Sequence, residues 1–250
     1  MITDSFDNKS LAKINPTPKD KREKCDVCII TFSYVLKDYI LNNFKCKQIG
    51  ETIHVAGNEQ VYYFKHKNKK IAFYKTWLGA PASVGMFEDV SRILDCNHFI
   101  IFGAAGSLNK EISYGKIMVP TYAYRDEGTS YHYIKPQDYI KVKNAGIVAK
   151  FLKDNNIPYV KGKTWTTDSF YRETENNINK RKNEGCISVE MECSAMQAVC
   201  DFRGFNLYYF LLGGDLLDAP KWVNRKENEN VPCSHRPENF YIALKLAETL

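Results

Sequence analysis

Residues 185–218 read GCISVEMECSAMQAVCDFRGFNLYYFLLGGDLLD, and the reading of this stretch decides the fold. Val189, Met191, Ala195, Met196, Ala198, Val199 and Phe202 recur at roughly helical spacing, whereas Leu207 to Leu212 run apolar without a break up to Gly213 and Gly214. The pattern predicts a helix, a turn at Gly204 and a buried strand. Glu190 and Glu192 fall where the helix approaches, and Asp215 stands just past the carboxyl end of the strand. In an open α/β sheet that rim is where ligands bind, because loops there gather polar groups above a rigid apolar support. The three acids are therefore candidates for contacts with a polyhydroxylated substrate and for proton transfer.

Working outward, strands are expected at residues 27–32, 60–64, 70–76, 98–102, 116–120 and 159–166, the second and third joined by a turn at 67–70. Helices are expected at 34–44, 79–94, 145–155, 177–184 and 237–250, and a loop at 103–106. This alternation implies an α/β fold, a three-layer sandwich with a central mixed, mostly parallel sheet flanked by helices. Residues 1–24 are polar and charged, and read as an arm that wraps a neighbour or stays mobile; residues 25–250 read as a single domain.

Composition bounds the function. The chain has 250 residues, 44% of them hydrophobic, enough for one large core. Its 35 Lys and Arg against 29 Asp and Glu give a net charge of +6, but the basic residues are scattered and form no stripe. No nucleic-acid partner is expected, while an anionic substrate stays compatible. The start of the chain lacks the charged-then-apolar order of a signal peptide, and no apolar run reaches membrane-spanning length, so the expectation is a cytoplasmic protein without a membrane partner. The eight cysteines are spread through strands and helices and read as reduced thiols, Cys25 and Cys28 included. The five histidines stand apart from each other and from cysteine pairs, so no metal site is expected.

Three motifs carry a resemblance. Val189-Glu-Met-Glu-Cys-Ser-Ala195, followed by a helix, an apolar strand and an Asp, is the first. Phe102-Gly-Ala-Ala-Gly-Ser107, with Gly115-Lys-Ile-Met-Val-Pro120 and Arg125-Asp-Glu-Gly-Thr-Ser-Tyr-His132, is the second, and Thr166-Thr-Asp-Ser-Phe-Tyr-Arg-Glu173 the third. In this order, over about residues 25–220, they resemble the nucleoside phosphorylase superfamily, which includes uridine phosphorylases, hexameric purine nucleoside phosphorylases and methylthioadenosine nucleosidases.

The resemblance implies cleavage of an N-glycosidic bond. Such a reaction puts oxocarbenium character on the ribose and negative charge on the departing base, so it needs carboxylates for hydroxyls, an acid or donor for the base, and a nucleophile. By resemblance Met191 and Glu192, with Glu190 nearby, contact the ribose. The residues alone also allow Glu192 to be a carboxylate serving the helix start. Asp215 corresponds to the acid that meets the leaving base, with Asp218 as the alternative. Phe170 corresponds to the aromatic that stacks on the base, and both it and Tyr171 also suit a core. Where uridine phosphorylases read the pyrimidine edge with Gln and Arg, this chain has Thr174 and Asn176, which leaves Arg172 as the substitute. Arg125 and His132 are expected beside the site, His132 also suiting a structural role.

Family phosphorylases hold phosphate with a Gly-Asp-Pro loop and following Arg after the first strand, and with a second Arg before the glycine loop. This chain has Thr31-Phe-Ser-Tyr-Val-Leu36 and Ile101 there, and neither Ile nor Leu replaces a guanidinium fork. Backbone N–H groups of Gly103, Ala104, Ala105 and Gly106, with Ser107 and Lys37, are the remaining anion candidates; tight packing explains the same small residues. The leading reaction implied is phosphorolysis of a purine or pyrimidine nucleoside, with inorganic phosphate as co-substrate and no cofactor. Hydrolysis by water and a non-catalytic nucleoside-binding role are the alternatives. Family members build the site at subunit interfaces, and the Tyr-rich segment 122–133 suits one, so a homo-oligomer, dimer or hexamer, is expected.

Overall fold

In the computed structural model, which describes residues 1–55, 57–220, 222–223 and 233–250, the apolar runs become strands of one large sheet. In chain order the elements are β1 (Glu23–Lys24), β2 (Val27–Thr31), α1 (Tyr34–Asn43), β3 (Lys47–Thr52), β4 (Glu59–His66), β5 (Lys69–Lys75), α2 (Ala80–Ile93) and β6 (Leu94–Asp95). There follow β7 (His98–Ser107), β8 (Ile117–Asp126), β9 (Tyr139–Lys141), α3 (Ala145–Asp154), β10 (Tyr159–Thr167), α4 (Glu175–Asn183), β11 (Cys186–Glu190), α5 (Cys193–Arg203), β12 (Asn206–Leu216) and α6 (Pro237–Glu248).

The strand order is β11–β10–β8–β12–β7–β2–β5–β4–β3, with β9 added beside β8. The central strands β2, β7 and β12 are parallel to one another and almost wholly buried, which is why they read as continuous apolar runs without alternation. Phe102 and Phe210 stack between β7 and β12, their rings 5.3 Å apart and nearly coplanar in orientation. α1 and α6 pack on β2, whereas α2 packs on α5, and α3 and α5 lie against β8 and β12.

β11 pairs with β10 and also, antiparallel, with β7, setting Ser188 opposite Ser107 and Val189 opposite Gly106. Strands β7, β12, β8, β10 and β11 thus close into a ring, from which β2, β5, β4 and β3 extend as an open wing. The sheet is mixed as expected: β10–β11, β10–β8, β12–β7, β2–β5 and β2–β7 are parallel, and β12–β8, β11–β7, β8–β9, β4–β5 and β3–β4 are antiparallel. The bend is local: β10 shifts register against β8 at Gly162/Lys163, and a side chain at Gly162 would meet Ile187 of β11 at 2.6 Å. Only glycine admits that approach at the corner.

Two sequence expectations change. Residues 186–190 are strand β11, and α5 begins only at Cys193. From Cys193 to Cys200 every side chain of α5 is buried, so the helix has no polar face to mark its start. Its end is as expected, with Gly204 left-handed at φ 77°. The expected loop at 103–106 is the continuation of β7, held to β12 through Gly103, Ala104 and Ala105. Within the Tyr-rich segment 122–133, Arg125, Glu127 and Ser130 are buried in their own chain, Arg125 Nε donating to Ser130 Oγ and Ser130 N–H to Glu127, while Tyr122 and His132 are exposed. Residues before β1 lie over their own chain, Lys19 N–H donating to Arg92 O and Arg92 Nε to Thr17 O. None of the eight cysteines is in a disulfide.

Candidate active site

A cavity of about 600 Å³ opens at the carboxyl ends of β7, β11 and β12, and its lining includes Ala104, Ala105, Gly106, Phe170, Glu173, Glu190, Met191, Glu192 and Asp215. That volume suits a nucleoside-sized ligand. Leu78, Tyr171, Val189, Leu217 and Trp222 complete the described wall, so carboxylates alternate with apolar and aromatic surface.

Glu190 ends β11 and is clamped by donors. Its Oε1 accepts from Thr166 Oγ1 at 2.6 Å, and its Oε2 from the backbone N–H groups of Glu192 at 2.7 Å and Cys193 at 2.6 Å. The latter two are orphan donors at the start of α5, so Glu190 serves the helix start, the role that the sequence alone allowed for Glu192. Burial nevertheless outweighs these bonds and lifts its carboxyl to about 7.

Glu192, the N-cap residue of α5, reaches instead across to α2, its Oε1 accepting from Gly79 N–H at 2.6 Å. Gly79 is the N-cap of α2, so two helix amino ends converge on this carboxyl, a field that favours negative charge. Burial, and then the charge of Glu190, push it the other way, up to about 8. The turn between these two acids places Met191 in the same wall.

Asp215 is the last residue but one of β12, after Gly213 and Gly214, and lines the cavity. Asp218, the alternative, is committed elsewhere: it takes the ammonium of Lys182 and the N–H of Lys110 at 3.1 Å, which together hold its carboxyl below the usual range. Phe170 and Tyr171 sit on a single 3₁₀ turn, ring centroids 4.2 Å apart, at 51% and 87% exposure, so the alternative of core aromatics does not hold. They form an open apolar edge on the cavity.

Other expected residues lie apart. Arg172 is exposed and outside the lining. Arg125 donates to Ser130 Oγ at 2.8 Å and to the carbonyls of Ile134, Lys135 and Gln137, and stacks over Tyr131 at 4.1 Å. It ties the segment after β8 together instead of facing the cavity. His132 borders a different cavity, between residues 7–16 and α2. Gly103 is in β7 but not in the wall, and Lys37 donates to Glu59 and Gln60.

Sequence reasoning passed over Glu173. It follows the 3₁₀ turn, half-buried in the wall, and burial and then the charge of Asp215 raise its carboxyl to about 7. Its only signal was adjacency to the Phe-Tyr pair in the third motif.

With this geometry in view, the comparisons with known proteins are specific. Residues 31–231 match the family model described as the phosphorylase superfamily. An uncharacterized protein of Acanthamoeba polyphaga mimivirus is 24% identical over 86% of this chain and 84% of its own length. The 5'-methylthioadenosine/S-adenosylhomocysteine nucleosidase of Buchnera aphidicola subsp. Schizaphis graminum is 30% identical over 82% of this chain and 83% of its own. A DeoD-type purine nucleoside phosphorylase of Aliivibrio fischeri is 25% identical over 52% of this chain and 56% of that protein. The match spans the ring strands, the acids of the cavity and the aromatic turn, and the chain belongs to the nucleoside phosphorylase superfamily.

Proposed function

We propose that this protein cleaves the N-glycosidic bond of a nucleoside in the cavity at the ends of β7, β11 and β12, with water as the nucleophile. The observation that carries the reading is the meeting of Glu192, Met191, Asp215 and Phe170 in one wall. The ribose hydroxyls bond Glu192, whose carboxylate is an acceptor held between two helix ends. The base lies along Phe170, and Asp215 meets the charge that builds on the base as the bond to C1′ lengthens. Interactions that strengthen as charge develops lower the barrier, which is what a carboxyl at the leaving base provides.

Water is favoured over phosphate by the residues at the family's phosphate positions. Where family phosphorylases carry guanidinium groups for phosphate, this chain has Thr31 to Leu36 and Ile101. Neither Ile nor Leu supplies the bidentate, permanently charged fork that an arginine gives a phosphate. The name of the Buchnera relative, a nucleosidase, agrees with this choice. The test is chromatography of free base after incubation with adenosine, inosine, uridine and 5'-methylthioadenosine, in phosphate-free buffer and with phosphate added. Base released equally in both is the expected result. Release only when phosphate is present would replace hydrolysis by phosphorolysis, and binding without release would leave a nucleoside sensor.

A further inference from the structure

We propose that Thr166 is a positioning residue for the ribose side of the site. Its hydroxyl caps α5 in place of the helix's own N-cap side chain, and so leaves the Glu192 carboxyl free for the sugar. The inference rests on the glycosidic reading and deepens it by naming what aims Glu192 at the ligand.

The start of α5 is capped from outside the helix. Glu192 is the N-cap residue, yet its side chain makes no capping hydrogen bond to its own helix. An N-cap side chain ordinarily accepts from one of the N–H groups that here belong to Ser194 and Ala195. Ser194 N–H donates instead to Thr166 Oγ1 at 3.1 Å, and the N–H groups of Glu192 and Cys193 go to Glu190. Thr166 is wholly buried near the end of β10, opposite Glu190 in the parallel register of β10 and β11. Its O–H donates to Glu190 Oε1 at 2.6 Å while a lone pair takes Ser194 N–H, so one hydroxyl serves both. Thr164 Oγ1 approaches the same Glu190 oxygen only at 3.4 Å, and Ser194 Oγ is committed to Glu127 at 2.8 Å.

With its helix satisfied from β10 and β11, Glu192 extends away from α5 to Gly79 N–H at 2.6 Å and into the cavity wall. Removing the Thr166 hydroxyl leaves Ser194 N–H buried without its acceptor, and an unpaired buried donor costs more than a hydrogen bond returns. The carboxyl at the N-cap position is the group placed to take that N–H, and taking it turns Glu192 off the ribose. Thr166 also stands on the strand that leads into the Phe170–Arg172 turn. One hydroxyl thereby ties the turn that holds the sugar to the strand end that holds the base. That tie sets the spacing at which ribose and base are gripped together.

The experiment measures kcat and KM with adenosine, inosine or uridine, whichever is turned over fastest, and with its 2′-deoxy counterpart. The proteins are the wild type, Thr166→Val, Thr166→Ser, Glu192→Gln and the double variant Thr166→Val/Glu192→Gln, each assayed below its melting transition. The wild type should prefer the ribonucleoside by about 10²-fold or more in kcat/KM, as a site built to bond a hydroxyl does. Thr166→Val, which keeps the shape and loses the hydroxyl, should cut that preference at least about tenfold. Thr166→Ser, with the hydroxyl restored, should recover it to within about threefold. In the Glu192→Gln background the valine change should alter the preference by no more than about twofold, because it acts through Glu192. Should the valine variant not fold, Thr166→Cys, whose thiol is a weak donor and acceptor, is read by the same ratio. A wild type without the preference, an equal loss on both sugars in Thr166→Val, or a full further loss in the double variant overturns the positioning role and leaves glycosidic cleavage intact. If no nucleoside is cleaved, calorimetric binding of adenosine and 2′-deoxyadenosine replaces the rates. A ribose preference that falls in Thr166→Val then keeps the positioning role while the cleavage reading falls, and no preference in the wild type sinks both.

Discussion

At the scale of single residues, two aspartates three positions apart separate into different jobs. Asp215 lines the cavity, whereas Asp218 is spent on Lys182 and the N–H of Lys110. Asp215→Asn should keep the fold and lower kcat by about 10²–10⁴-fold, the range for loss of a positioned acid or base. Asp218→Asn should stay within about threefold of wild type, since its partners lie outside the wall. Steady-state assays of both variants on the best nucleoside check this, and the reverse order would move the catalytic role to Asp218. The sequence made Asp215 legible because a strand-end acid after two glycines has few other uses. It hid Glu173, because a glutamate beside a surface-looking aromatic pair carries no pattern until the turn folds against β12.

At the scale of elements, the misread start of α5 and the misplaced role of Arg125 have a common cause. Periodicity reports one exposed face, and both places are buried on all sides by polar as well as apolar contacts. Arg125 looked like a substrate residue because it stands in a polar, Tyr-rich run; its side chain is internal because Ser130 Oγ and the carbonyls of Ile134, Lys135 and Gln137 take its donors. Glu127 completes the arrangement, its Oε2 accepting from Ser130 N–H at 2.9 Å and its Oε1 from Ser194 Oγ at 2.8 Å. This links the turn after β8 to the start of α5. Arg125→Lys should therefore destabilise the protein by about 2–4 kcal/mol, since an ammonium cannot span the separate acceptors that the guanidinium reaches. A thermal melt should show the loss, with kcat retained well below the transition. An unchanged melt with lost activity would return Arg125 to the substrate. The starts of β2, β7, β8, β10 and β12 and the bounds of most helices, by contrast, were readable to within a residue or two, because an unbroken apolar run has only a core to go to.

At the scale of the whole molecule, buried acids link stability to pH. The carboxyls of Glu190 and Glu192 are raised in the folded chain to about 7 and about 8, from an ordinary value of 4.5. Between the unfolded and folded values the native state therefore binds more protons than the unfolded state, and this contribution to stability falls as pH rises through that window. Glu192→Gln removes part of the dependence. The variant should gain roughly 1–3 kcal/mol on wild type at pH 8 relative to pH 5, or about 2–10 °C in Tm. Parallel melting curves at both pH values would show that Glu192 is not a proton-linked group. The same burial defines the site, for it keeps carboxyls in a poorly solvated cavity where a ligand offering donors adds to the bonds that Glu190 and Glu192 already accept. The most direct test of that account is a crystal structure with a non-cleavable nucleoside analogue. The account predicts ribose hydroxyls within hydrogen-bond distance of Glu192, the base along Phe170, and its N7 edge facing Asp215. An analogue bound instead between residues 7–16 and α2, beside His132, would contradict it.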